Sequence, residues 1–371
     1  MPADRSVVRL EELDFELPEE AIAQRPAEPR DSCRLMHLLA DGGFGHLRFA
    51  DLPLLLRGGD TLVFNDSKVL PARVMTRKTS GGIVELLFLR PVSQDCTSGA
   101  ERWEVLARPS QRLRVGKELV LPDGERLALV EHVDEGRWIV SGRRNSSMIG
   151  LMDAHGRLPL PPYIKTYPAD PSTYQTVYAA VPGSAAAPAA GLHFTRGLLD
   201  RLGERGVGAV KVTLHVGLDT FLPIRERVVE EHRIHSETYA VAPEALGAIR
   251  RARSSGGRVV AVGTTAARVL ETLVLNGSLG NEVPVEALSG FTDVFITPGH
   301  RFAAVDALLT NFHLPKSSVL ALTMAFAGTD RLRRAYAEGL SSGYRFFSFG
   351  DAMLIEKPGR EGSASEEGGG A

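Results

Sequence analysis

The chain has 371 residues, 43% apolar and 24% charged, with a formal net charge of −2. That length predicts two domains or one domain with an insert, and the near-neutral balance excludes a wholly electrostatic nucleic-acid binder, so any such site must be a local basic patch. The two cysteines, Cys33 and Cys96, show neither metal nor redox spacing, and no apolar run approaches the roughly 20 residues of a membrane span.

The N-terminal stretch is charged throughout and does not read as a signal peptide. Pro18 sits at a plausible first helical position, and the short helix must stop before Pro26. Arg25, Arg30 and Arg34 then punctuate a Pro-rich loop. Residues 35–39 and 60–65 read as strands. The second ends in Asn65-Asp66-Ser67-Lys68, a polar loop of the kind that often carries a site. From 72 to 142 short alternating segments are separated by turn residues, among them Pro122-Asp123-Gly124, with 95–100 as a hairpin tip. Trp103, Leu106, Trp138, Ile139 and Val140 would supply core. This spacing predicts a small β-barrel.

The segment LPLPPY at 158–163 marks the return to the main domain. Between Gly183 and Gly191 every side chain is Ser, Ala or Pro. Such a run has little apolar volume to fill a core, but it suits a backbone that must lie against something flat. The competing reading is a surface linker. The run delivers His193 and Thr195, which share one side if the backbone is extended, and Thr195 reads as a helix start. Residues 206–216 alternate, with Val210, Val212, Leu214 and Val216 on one face and Lys211, Thr213 and His215 on the other. The loop 217–223 follows.

A helix over 245–253 leads to a doubly buried strand at 258–263. Thr264-Thr265 opens a helix that runs to Leu275, and this loop offers N–H groups and hydroxyls to an anion or ribose. A strand is expected at 291–296. Residues 308–326 read as strand, polar loop and apolar helix, bringing Asn311, His313, Lys316 and Ser317 together. Residues 344–355 read as a closing strand region. The tail after 356 is rich in Gly, Ser and Glu and is expected to be disordered.

Several stretches together resemble one family, the S-adenosylmethionine:tRNA ribosyltransferase-isomerases of queuosine biosynthesis. They are DFELPEEAIAQRPAEPRDSCRL, LVFNDSKVLPARV, YQTVYA, GSAAAPAAGLHFT, LHVGLDTF, HSETY, AVGTTAARVLE, TNFHLPKSS, AFAG and YRFFSFGDAML, and they lie within 13–355. Ala189 and Phe349 each lack a hydroxyl that the family usually carries, and Ile234 and Asp219 depart from its usual Met and Gly. The resemblance implies a reaction in which the ribosyl part of S-adenosylmethionine moves onto 7-aminomethyl-7-deazaguanine at the tRNA wobble position. Isomerisation gives epoxyqueuosine, and adenine and methionine leave. It implies tRNA and S-adenosylmethionine as substrates, a cytoplasmic location, no cofactor and no membrane. A monomer is expected.

That chemistry needs a base for a ribose C5′ proton and an acid for adenine, tasks suited to His and carboxylates. Within the motifs His193, His215, His235, Glu237 and His313 are the candidate carriers. Candidate substrate contacts are Gly183, Ser184, Gly191, Thr195, Gly263, Thr264, Thr265, Asn311, Lys316, Ser317, Tyr344 and Arg345. The segments 183–195, 217–221, 235–237, 263–265 and 311–317 are expected to line one cleft. His232 and His235 lack the Glu of a zinc-protease motif, so no metal is expected. For tRNA the basic candidates are Arg108, Arg112, Arg114 and Lys117, and Arg331, Arg333 and Arg334. Tyr163, Tyr167 and Tyr344 are the candidates for stacking splayed bases.

The expected architecture is an α/β main domain with a mixed sheet, from 1–71 and 151–356, plus an inserted small all-β barrel domain at 72–150 and a tail at 357–371. Two rival functions remain. A methyltransferase would release S-adenosylhomocysteine in place of adenine and methionine and would be expected to carry a Gly-rich nucleotide loop after an early strand. A non-catalytic tRNA-binding protein would leave S-adenosylmethionine intact.

Overall fold

The computed structural model describes residues 7–94, 99–134, 136–144, 146–217, 223–280 and 287–358. Two sheets dominate it. The larger has nine strands around a parallel block formed by Gly208–Leu214, Thr61–Asn65, Val259–Val262 and Ala307–Asn311, adjacent in that order. Beyond the last of these lie Ala352–Glu356, antiparallel to it, then Arg34–Leu38 and the edge strand Phe44–Arg48. On the other side lie Glu237–Val241 and Leu288–Thr292.

The block is buried on both faces because helices cover both. Val259 and Ala261 join a core with Leu246 and Ile249 of helix Pro243–Ser254 and Leu270 of helix Thr264–Leu275. Val260 and Val262 face the opposite core, with Leu198 and Leu202 of helix Arg196–Glu204. This two-sided burial explains the unbroken apolar run of the strand.

The second sheet closes on itself. Arg73–Lys78, Ile83–Gln94, Glu101–Arg108, Arg137–Ser141, Arg126–Asp134 and Glu118–Val120 are neighbours in turn, and Val120 pairs back to Arg77. Full closure leaves no free edge. Val74, Leu86, Val105, Leu127 and Val140 fill the interior with Trp103 and Trp138, and Met148 and Met152 of helix Met148–His155 pack against it. The barrel strands fall between Arg73 and Ser141, and the main sheet draws strands from both sides of that segment.

Several local expectations change. The helix expected after Pro18 is only a 3₁₀ turn, Glu19–Ala21. The chain instead bonds to the segment around Phe346, through Ala23 N to the Phe346 carbonyl and Phe346 N to the Ala21 carbonyl. The strand expected at 291–296 is Leu288–Thr292. Past it the Val294 carbonyl is taken by Arg268 Nε at 3.2 Å, not by a neighbouring strand. Of 344–355 only the last part is strand, since the Asp351 carboxylate accepts from Arg34 N and Arg345 N and holds the preceding segment as a loop.

The small-residue run is no surface linker: Ala185, Ala186, Ala187 and Ala190 are all buried. It leaves the short strand Val181–Ser184, which pairs with Ser67–Val69, and its small side chains let the backbone enter the interior. Nor is it extended at its end, because Ala189–His193 is a 3₁₀ turn. From there His193 reaches Cys33 and Thr195 reaches Asp31. Most of the hairpin tip, of the 217–223 loop and of the tail lies outside the described residues.

Candidate active site

The carboxyl ends of the four parallel strands meet in one region, where open α/β sheets place ligands. His215 to Gly217 follow one strand, Asp66 the next, Gly263 to Thr265 the third and Phe312 to Ser317 the fourth. A small cavity of about 90 Å³ lies there. Ala187, Pro188, Ala189 and Ala190 form one wall, and Gly263, Thr264 and Thr265 form another at a helix start. Gly263 has φ 89°, which turns the chain from strand into helix without a Cβ penalty. Asn311, His313, Ser317, Tyr163, Phe347 and Ser348 complete the lining.

Two buried polar atoms on this lining have no hydrogen-bond partner: Asn311 Oδ1 and Thr265 Oγ1. A buried donor or acceptor left unpaired costs about 1–3 kcal/mol. Such atoms mark where a polar ligand would repay that cost. His313 differs. Its Nε2 lies 2.8 Å from Thr310 Oγ1, its main-chain N–H donates to the Tyr336 hydroxyl, and burial pushes its imidazole down to about 3. It is neutral at physiological pH and suits hydrogen bonding better than proton donation.

A much larger cleft, about 1330 Å³, separates the barrel from the main sheet. Arg73, Arg90, Arg108 and Arg137 stand on its barrel wall with Glu85, Glu104 and Asp134. His215, His235, Glu237, Gly183 and Gly217 line the opposite wall. Val216 borders both cavities. His215 is part-buried and its Nδ1 has no hydrogen-bond partner. Burial lowers this imidazole, and the charge of nearby Asp66 pulls it back up. The Asp66 carboxylate is held by the Thr213 hydroxyl at 2.7 Å. Glu237 is buried; its Oε2 pairs with Arg268 and its Oε1 accepts from Gly217 N at 2.7 Å. His235 is exposed.

The expected single cleft is thus two adjoining cavities. Several expected contacts border neither. His193 lies behind the small cavity, between Cys33 and Asn311. Ser184 bonds its own loop and Val216 N. Gly191 has no room for a side chain, since a Cβ there would fall 1.9 Å from the Tyr178 hydroxyl oxygen. Thr195 caps helix Arg196–Glu204 and donates to Asp31. Lys316, at φ 56°, pairs with Asp14 at 2.7 Å. Arg345 is tied to Asp351 and the Arg25 carbonyl.

Tyr344 is buried beneath the Arg34 guanidinium, 3.8 Å from its ring centre, so it offers no face to a base. Tyr163 bonds Ser348 and lines the small cavity, while Tyr167 is 43% exposed. Of the basic candidates Arg108 borders the cleft, whereas Arg331 is buried on the carbonyls of Leu39 and Glu356. Arg333 caps the Glu12 carbonyl. The sequence marks Asp66 only as part of a polar loop, and Arg268 not at all as a site residue. Arg268 had one readable signal, a charge within the apolar helix TTAARVLETLVL. Among the described residues no group of three His, Cys, Asp or Glu is placed to hold a metal, and no helix is long and apolar enough to cross a membrane.

Comparison with known proteins gives the family. The family model described as "Queuosine biosynthesis protein" matches residues 10–355. A Rubrobacter xylanophilus protein named S-adenosylmethionine:tRNA ribosyltransferase-isomerase is 50% identical, over 95% of this chain and 99% of its own. A Symbiobacterium thermophilum protein of the same name is 48% identical, over 94% of this chain and all of its own length, 100%. The crystal structure of an S-adenosylmethionine tRNA ribosyltransferase from Thermotoga maritima aligns with TM-score 0.52 and 36% identity, covering 93% of this chain and 99% of that one. The chain belongs to the queuosine biosynthesis protein family, a family of transferase enzymes whose relatives above carry the ribosyltransferase-isomerase name.

Proposed function

We propose that this enzyme transfers and isomerises the ribosyl moiety of S-adenosylmethionine onto 7-aminomethyl-7-deazaguanine in the tRNA wobble position. The products are epoxyqueuosine-tRNA, adenine and methionine. The observation that carries this reading is the small cavity at the strand ends, with Asn311 Oδ1 and Thr265 Oγ1 unpaired on its lining. Its Ala187–Ala190 wall allows a flat ring to approach the backbone, and the two oxygens supply polar contacts to a nucleoside. At about 1330 Å³ the larger cleft has the volume for a nucleotide of the tRNA, and Val216 borders both spaces.

Of the candidate proton carriers, His215 fits the task best. It faces the cleft, keeps a free Nδ1 and sits near the Asp66 carboxylate. A base there would take the ribose C5′ proton that the adjacent sulfonium acidifies. Glu237, held by Arg268, shapes the cleft wall. On this reading the barrel at 72–150 is an inserted domain that closes the tRNA side of the cleft. The enzyme needs no cofactor, since S-adenosylmethionine is consumed, and it acts as a cytoplasmic monomer.

The test is to mix enzyme, S-adenosylmethionine and precursor tRNA and to measure free adenine. Adenine release that requires the tRNA supports the reading. S-adenosylhomocysteine in its place would show a methyltransferase, and intact S-adenosylmethionine a binding protein.

A further inference from the structure

Asn311 ends the fourth parallel strand and is only 2% exposed. Its amide nitrogen donates to two acceptors, the Phe347 carbonyl at 2.9 Å and His193 Nε2 at 2.9 Å. The carbonyl can only accept, so the amide cannot be turned over without setting two oxygens against each other. Both amide protons are therefore committed to the side away from the small cavity, and Oδ1 is left unpaired on a residue that lines it.

His193 is placed to enforce this. Its Nε2 accepts from Asn311, so its ring proton sits on Nδ1, 3.3 Å from Cys33 Sγ. Phe49 packs against the imidazole, with ring centres 5.1 Å apart, and His193 itself is 4% exposed. Burial holds the imidazole down at about 4 and pushes the Cys33 thiol up, so both groups are neutral. Both ring nitrogens are engaged and the ring borders neither cavity.

We propose that His193 is a positioning residue: through Nε2 it fixes the Asn311 amide so that Oδ1 is presented to the small cavity as the acceptor for a donor group on the nucleoside half of S-adenosylmethionine. This rests on the function proposed above. It removes His193 from the proton carriers and gives the buried Cys33–His193–Asn311 row one purpose, the orientation of a single oxygen. The row stands at the end of a parallel strand, on a rigid element, which is where a recognition group is best held.

The experiment compares wild type, Asn311→Leu, His193→Ala and His193→Gln. It reads equilibrium binding of S-adenosylmethionine, then kcat, KM and the pH profile of kcat with precursor tRNA. Thermal melting confirms that each variant is folded. Asn311→Leu should weaken S-adenosylmethionine binding by about 10-fold or more, the loss expected for a buried acceptor that pairs with ligand. His193→Ala should weaken it about 3- to 10-fold. In His193→Gln the side-chain oxygen can still accept from Asn311, so binding should return to within about 3-fold of wild type and the pH profile should keep its shape.

Two results would overturn the proposal. One is Asn311→Leu binding S-adenosylmethionine like wild type. The other is His193→Gln losing about 10²-fold in kcat, or one limb of its pH profile, with affinity intact, since that is the mark of a proton carrier. Should His193→Ala fail to fold, the Gln variant decides alone. Failure of wild type itself to bind S-adenosylmethionine and release adenine would bring down the functional reading and this proposal with it. A working wild type with an unaffected Asn311→Leu removes the proposal only.

Discussion

Gly183 lies flat against the imidazole of His215: a Cβ on Gly183 would sit 2.6 Å from His215 Cε1 and 2.7 Å from Nδ1. Real carbon atoms do not approach that closely, so any side chain at 183 must displace the ring. The backbone there also has φ 146°, which L side chains rarely adopt. Gly183→Ala should therefore lower turnover by about 10-fold or more, because a shift near 1 Å in a reacting group can cost about 10²-fold, and should also lower the melting temperature modestly, since Ala at a positive φ costs about 1 kcal/mol or more. Steady-state kinetics beside a thermal melt measure both. Unchanged kcat in a folded variant would remove His215 from the reaction.

The two most deeply shifted histidines predict acid sensitivity. An unfolded imidazole titrates near about 6.5, whereas His193 in the folded chain is held at about 4 and His313 at about 3. Between those values the unfolded chain binds more protons. The stabilising contribution is complete above the unfolded value and is lost as pH falls toward the folded ones. His193 alone adds a slope of about 1.4 kcal/mol per pH unit in that interval. Urea unfolding from pH 7 down to pH 4.5 should show it, and His193→Gln should have a slope shallower by about one proton. An equal slope in the variant would contradict a buried neutral His193.

Glu237 and Arg268 form an ion pair with both side chains under a tenth exposed. Removal of one partner leaves a buried charge uncompensated, which costs about 3–5 kcal/mol. Glu237→Ala should thus unfold at markedly lower denaturant, and Glu237→Leu combined with Arg268→Met should recover much of the loss. Chemical denaturation of the single and double variants checks this. A Glu237→Ala protein of wild-type stability would show that the pair contributes nothing to the fold.

Thr265 places a hydroxyl with no partner on the small cavity. Val has the same shape without the oxygen. Thr265→Val should leave stability unchanged or raise it by up to about 1 kcal/mol, and should weaken S-adenosylmethionine binding by about 5- to 10-fold. Calorimetric titration together with a melt separates the two effects. Wild-type affinity in this variant would place the ligand elsewhere.

Much of this arrangement was legible in the sequence where a local rule operates. The alternation and turn residues of the barrel, the doubly apolar run Val259–Val262 and the Gly263-Thr264-Thr265 helix start all act within a few residues, and all stand as read. What escaped depends on partners distant in the chain. Lys316 reads as a free cation until Asp14 is seen beside it. Tyr344 reads as a stacking platform until Arg34 covers it. His193 reads as a proton carrier because nothing local shows that Ala189–His193 coils into a 3₁₀ turn and carries the imidazole into the core. Asp66 reads as part of a polar loop, but its relation to His215 depends on the parallel pairing of Thr61–Asn65 with Gly208–Leu214.

The most direct test uses S-adenosylmethionine labelled in its ribose carbons, mixed with the enzyme and with tRNA carrying 7-aminomethyl-7-deazaguanine. The label in precipitated tRNA and the free adenine and methionine are counted together. The account predicts one labelled ribosyl group in tRNA for each adenine and each methionine released. Label remaining in the soluble fraction, or S-adenosylhomocysteine formed alongside unlabelled tRNA, would contradict it.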